Sequence, residues 1–273
     1  MRERRTLPGF GLSLGLASTY LGLLVLIPLA TLPAVVARMS LEQYLHAAFS
    51  PRTLAAYRLS VGAALAAALI NAVAGFVVAW VLERYPFPGK RLIDGFVDLP
   101  FALPTAVAGI ALTTLYAENG WIGRILVKAG IHVAYTPLGV VVALVFVGLP
   151  FVVRTVQPVL RDLPGEVEEA AATLGAGRFS TFRRILFPPL APALVTGFTM
   201  AFARGLGEYG SVIFIAGNLP MKSEITPLLI MIRLEEFDYQ GAAAIALTFL
   251  VASFALLFVT NVLSMWRERS SHA

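Results

Sequence analysis

The chain has 273 residues, of which 58% are hydrophobic and only 14% charged, and its mean hydropathy is +0.79. This lies well outside the composition of soluble globular domains and makes a membrane protein the starting reading. The absence of cysteine excludes a disulfide framework, a thiolate metal site and a cysteine nucleophile, and the widely separated His46, His132 and His272 do not suggest a metal cluster.

A helix crosses a bilayer core with about 20 apolar residues, and six stretches qualify, near 14–37, 55–82, 95–116, 137–157, 190–216 and 241–265. The first has a basic front, Arg2, Arg4 and Arg5, but its apolar run is too long for a signal sequence, and it is expected to remain as a helix. Six crossings place both termini on one side. That side collects Arg2, Arg4, Arg5, Arg84, Lys90, Arg91, Arg154, Arg161, Arg178, Arg183, Arg184, Arg267 and Arg269. The other holds Arg38, Arg52, Arg124, Lys128, Lys222 and Arg233, while Arg58 and Arg204 fall inside spans. The imbalance makes the termini and the 158–189 loop cytoplasmic. The expected fold is an all-α membrane protein of about six transmembrane helices.

On the outer side, Leu41, Tyr44, Leu45 and Ala48 recur at helical spacing, and Ser50-Pro51 supplies an N-cap and first-turn proline for the second span. This reads as an amphipathic helix in the headgroup layer. Pro100 and Pro104 then interrupt the third span. Prolines at membrane depth free carbonyls that must be buried in protein or wetted, which makes Pro104 a candidate for a pathway as well as for a simple kink.

The 158–189 loop carries charge in an otherwise apolar chain. Asp162 and Pro164 are suitable helix-start residues, and Val167, Ala170, Ala171 and Leu174 share one helical face. Glu166 and Glu168 are expected to face water, where their first-turn position suits the helix dipole. Gly175 and Gly177 allow a sharp turn. Phe179, Phe182 and Leu186 form a second apolar stripe opposite Arg178, Arg183 and Arg184, and Pro188-Pro189 is expected to halt it. The pattern alone fits either a handle for another protein or a surface helix packed under its own bundle.

In the fifth span, Gly205 to Gly210 matches G-x-G-x-x-G, but a dinucleotide site needs a preceding strand and a βαβ unit. Such glycines in a membrane helix mark close packing or a break. Arg204 and Glu208 stand at i, i+4 and can pair. Each charge costs about 2.5–3.5 kcal/mol at a helix centre, so the pair either locks packing or serves as a gate or anion contact beside a path. The 217–240 loop faces outward by the charge count, as part of a docking surface or as a re-entrant cap.

Glu169-Ala170-Ala171, three residues, Gly175, nine residues and Ile185-Leu186-Phe187-Pro188 together resemble the EAA signature of permease subunits of bacterial ABC importers. The departure is Phe187, where the pattern has leucine. The resemblance implies a type I importer permease fold in which 158–189 is a coupling loop, with Glu169, Ala170, Ala171, Leu174 and Gly175 docking on an ATPase subunit. The only Gly-Lys pair, Gly89-Lys90, lacks the other residues of a P-loop. The chain is therefore expected to be non-enzymatic and to hold no cofactor, with ATP and Mg bound by partner ATPase subunits.

Residues 87–94, 99–109 and 205–230 resemble the molybdate and sulfate branch of these importers, and the last stretch, continued to Tyr239, is most similar to T-type permeases for sulfate and thiosulfate. This implies a path for sulfate or thiosulfate, with molybdate or tungstate as the alternative. Implied partners are a homologous W-type permease, two ATPase subunits, a periplasmic sulfate-binding protein and the lipid of a bacterial inner membrane, with no nucleic acid. Residues 1–53 form an N-terminal helix and external segment, 54–265 the permease domain and 266–273 a tail. A membrane-embedded enzyme would need a nucleophile and base, or a carboxylate and histidine cluster, at one depth. An ATP-independent carrier often shows an internal repeat. Neither pattern is found.

Overall fold

The computed structural model describes residues 10–271, with side chains through Val262. Arg2, Arg4, Arg5 and His272 lie outside the described residues, as do the side chains of Arg267 and Arg269. In chain order, α1 (Phe10–Leu21), a π turn (Gly22–Leu26) and α2 (Ile27–Val36) make one rod. It is followed by α3 (Leu41–Phe49), α4 (Pro51–Arg84), α5 (Lys90–Val97), α6 (Leu99–Ala102), α7 (Thr105–Tyr116) and α8 (Gly123–Lys128). Next come α9 (Pro137–Asp162), α10 (Glu166–Thr173), α11 (Arg178–Thr181), a second π turn (Phe182–Leu186) and α12 (Phe187–Leu206). The chain closes with α13 (Val212–Ile215), α14 (Thr226–Glu235) and α15 (Tyr239–Ser271). Among the described residues there is no strand, and five helical segments are long and apolar enough to cross a membrane.

The core is the mutual packing of α4, α9 and α12. Lipid tails are as apolar as leucine, so close van der Waals fit, rather than water exclusion, must hold membrane helices together. The buried face of α4 is accordingly dominated by small residues, among them Ala56, Ser60, Ala63, Ala64, Ala67, Ala68, Gly75 and Ala79, with Leu82 the large exception near its end. Val152 of α9 is pinched between two glycines. A Cβ on Gly75 of α4 would lie 2.8 Å from Val152 Cβ, and one on Gly197 of α12 would lie 2.8 Å from Val152 Cα. The rod of α1 and α2 has no buried residue and meets the bundle through the packing of α2 on α15. Beyond the rod, α3 begins in a capping box from Ser40 to Gln43, and its Tyr44 hydroxyl meets Thr248 of α15 at 2.8 Å. Ser50 caps α4.

Several boundaries differ from the sequence reading. The third span is not continuous: α7 has 12 residues, about 18 Å, too short for a core of about 30 Å. The chain breaks at Leu103 and Pro104, and Pro104 stands exposed as the N-cap of α7. The fifth span starts earlier and ends sooner than expected, running from Arg178 to Leu206. Pro188-Pro189 does not halt it: the prolines occupy the first turn of α12, where their missing N–H groups cost least, and the π turn before them, with Phe187 N–H bonding Phe182, joins α11 to α12. Asp162 ends α9 rather than starting the loop helix, whose N-cap is Gly165.

Candidate functional site

The loop after α9 folds as a hairpin of α10 and α11 at one end of the bundle. Ion pairs bring the 83–98 and 154–187 segments to that same end: Glu83 with Arg161, Arg84 with Glu168, and Asp94 with Arg154. Helical spacing divides α10 into two faces. Ala171 is buried, and Glu168 Oε1 lies 3.0 Å from Arg84 Nη2 of α4. Glu168 was expected to face water; instead it turns toward the bundle, where Arg84 supplies the opposite charge. Glu166, Glu169, Ala170 and Thr173 point outward, and Leu174, just past the helix end, is 88% exposed. The expected apolar face is therefore split: Ala171 packs inward, while Ala170 and Leu174 remain uncovered, as does Phe179 at 75% exposure.

The turn is set by Gly175, whose φ is +80°, a conformation costly to any residue with a Cβ. Its N–H bonds Ala172 and the next N–H, of Ala176, bonds Ala171, closing the last carbonyls of α10 in a Schellman motif. Glu169, Ala170, Leu174 and Gly175 thus form one exposed surface backed by the buried Ala171.

The second cluster lies where α12 ends. Arg204 is in its last turn and Glu208 follows the Gly207 C-cap, so the pair forms around a helix end rather than along a continuous helix. The Glu208 side chain is 1% exposed and Arg204 35%. The buried carboxylate is satisfied by Arg204 and by the backbone N–H and hydroxyl of Ser211, both donating at 2.9 Å. This turn presses on the start of α7, with Gly210 against the Thr105 hydroxyl and Gly109 against the Ser211 backbone. The G-x-G-x-x-G glycines thus serve both a helix break and close packing, and the turn that holds Arg204 and Glu208 comes to rest beside the Pro104 break.

Two arrangements were not foreseen from sequence. Arg154 Nε and Nη2 grip Asp98 at 2.8 and 2.6 Å, and its Nη1 holds Asp94 and Gln157 at 2.6 Å each, clamping the 90–98 elbow to α9. Burial works to raise the Asp94 pKa, but hydrogen bonds from Gln157 and Arg154 outweigh it and hold the carboxyl below its ordinary value. The signal available was Asp94 and Asp98 at i, i+4. At the other end, Arg52 forks onto the buried Glu224 at 2.8 and 2.6 Å, and Ser60 Oγ accepts from the Thr226 N–H at 2.8 Å. The 217–240 loop is therefore latched to α4, and nothing in its local pattern pairs residues 172 apart.

The family model described as "Binding-protein-dependent transport system inner membrane component" matches residues 71–269. The chain belongs to this family. Members are multi-pass inner-membrane permease subunits of ABC importers, not enzymes in their own right. Similar proteins include the sulfate transport system permease protein CysT of Salmonella typhimurium, 51% identical over 96% of this chain and 94% of that protein. CysT of Synechocystis is 49% identical over 92% of this chain and 87% of its own length. Among solved structures, a bacterial ABC transporter that imports the acidic polysaccharide alginate matches with TM-score 0.76, covering 94% of this chain and 96% of that one. At 13% identity this likeness supports the fold alone. A bacterial alginate ABC transporter in complex with an alginate-bound periplasmic protein matches with the same TM-score, 0.76.

Proposed function

We propose that this importer permease conducts sulfate, and that 158–189 is the loop through which ATP hydrolysis in a partner drives it. The observation that carries the coupling reading is the uncovered outer face of α10: Glu169, Ala170 and Leu174 stand exposed on a rigid, Schellman-capped helix next to Gly175. A short rigid helix transmits a rigid-body displacement, which a slack loop does not. Sulfate rests on relatives near 50% identity that carry that name.

The working assembly pairs this chain with a homologous W-type permease and two ATPase subunits that hold ATP and Mg, with both termini cytoplasmic. A periplasmic sulfate-binding protein delivers the anion to the outer face, where the loop latched by Glu224 lies. Arg204, partly exposed and backed by Glu208, offers guanidinium donors to a passing oxyanion, and the nearby break at Pro104 leaves backbone groups able to line a wet path. Neutralised by Glu208, Arg204 gives a weak contact, as transit requires.

The test is co-purification from cells that express the neighbouring subunits, followed by reconstitution. The expected result is a stable complex whose ATP hydrolysis rises when sulfate-loaded binding protein is added outside, with sulfate taken up in preference to molybdate. A chain that retains no ATPase overturns the coupling reading, and preferential molybdate uptake overturns the substrate.

A further inference from the structure

The hairpin that carries the proposed docking face is fastened to the membrane bundle at few places. Ala171 is the buried residue of α10, and among the described residues the one ion pair from α10 to a spanning helix is Glu168 to Arg84. Arg84 is the last residue of α4, and its guanidinium lies over Trp80 one turn earlier, 5.7 Å from the ring centroid. The same Trp80 meets Phe182 edge-on at 5.7 Å, and Phe182 opens the π turn between α11 and α12. Phe76, a turn further along α4, also packs on Phe182. Both arms of the hairpin therefore converge on the cytoplasmic end of α4, one through Glu168 to Arg84 and the other through Phe182 to Trp80.

The character of the contact matters as much as its place. Arg84 meets Glu168 through a single nitrogen, Nη2, at 3.0 Å. The Arg154 clamp is the opposite: its fork onto Asp98 fixes angle as well as distance. A bidentate fork resists rotation, whereas a charge contact on an aromatic seat keeps its attraction as the angle changes.

We propose that Arg84, seated on Trp80, is the swivel joint that passes displacement of the hairpin to α4, with Glu168 as the hairpin's inward hook. The proposal rests on the coupling reading above and adds the side chains that carry the motion. It divides labour between neighbouring acids: Glu169 faces the partner and Glu168 faces the bundle. Arg84 and Glu168 are positioning residues that touch neither nucleotide nor anion.

The experiment uses the full reconstituted complex and compares Arg84→Gln, Glu168→Gln, the double variant and Arg84→Lys. Measured quantities are ATPase co-purification, basal hydrolysis, stimulation by sulfate-loaded binding protein, sulfate uptake and melting temperature. The expected result is that the ATPase stays bound and melting is unchanged, while stimulation falls by about fivefold or more in each neutral variant. The double variant should be no worse than either single one, and Arg84→Lys, which keeps charge and aromatic contact, should recover most of the stimulation. Stimulation that survives both neutral variants, additive losses, detachment of the ATPase, or a loss that tracks melting overturns the joint. If the wild-type chain itself holds no ATPase, the coupling reading fails and takes the joint with it, which separates the two failures.

Discussion

At the residue scale, the buried carboxylate of Glu208 sets what its neighbours can tolerate. It is held by Arg204 and by two donors from Ser211, so removing Arg204 leaves an ion with neutral partners only in a nearly dry site. Breaking one side of a buried pair costs about 3–5 kcal/mol, because the remaining charge is uncompensated. Arg204→Ala should therefore lower the melting temperature and sulfate uptake together, and Arg204→Ala with Glu208→Gln should recover the melting temperature. Uptake separates the two roles: if it recovers in the double variant, Arg204 is a packing lock, and if it stays low while the fold is restored, Arg204 contacts the anion. The pairing itself was legible from i, i+4 spacing. The helix end between the two was not, because Gly205 and Gly207 are compatible with either a packed helix or a terminus, and the choice is made by α7 pressing on the turn.

At the element scale, the hairpin shows how a local pattern can be read correctly in kind and wrongly in facing. Spacing predicts a short helix through Val167, Ala170, Ala171 and Leu174 with a glycine turn after it; α10 runs Glu166–Thr173 and the turn follows at Gly175. It cannot say which face meets the bundle, because Ala170 and Ala171 are equally small and only the position of Arg84 decides that Glu168 turns inward. The proline pair at 188–189 was misjudged for a related reason: a π turn is a hydrogen-bond shift with no sequence period of its own. Gly175 offers the element's own test. A Cβ at its φ of +80° costs about 1 kcal/mol, and this loop lies away from the three-helix core. Gly175→Ala should leave the melting temperature of the bundle nearly unchanged while weakening ATPase retention on a size-exclusion column. A loss of melting temperature without loss of the ATPase would place Gly175 in the fold and not in the coupling surface.

For the whole molecule, five of the six expected apolar spans are present as long helices and the third is broken, but the centre of the bundle was not legible, since it depends on which small residues face one another. Gly75 and Gly197 lie on separate helices and converge on Val152 of a third. Gly197→Leu would drive a side chain into the α9 backbone and cost about 1–3 kcal/mol or more of overpacking strain. The measurable result should be a lower melting temperature and reduced sulfate uptake, with ATPase retention preserved, because the hairpin is untouched. Retention lost alongside melting would mean that core and hairpin fold as one unit.

Among the three central helices, α9 contains Pro150 and Pro158 and α12 contains Pro192, whereas α4 has no proline beyond its first position. Its 34 residues form a helix of about 51 Å with no internal proline, held near one end by the Arg52–Glu224 pair and ending in Arg84 at the other. A helix without an internal proline lacks the commonest site of a sharp kink. On the coupling proposed above, this one helix joins the hairpin, through the Arg84 joint, to the loop latched by Glu224 at its far end.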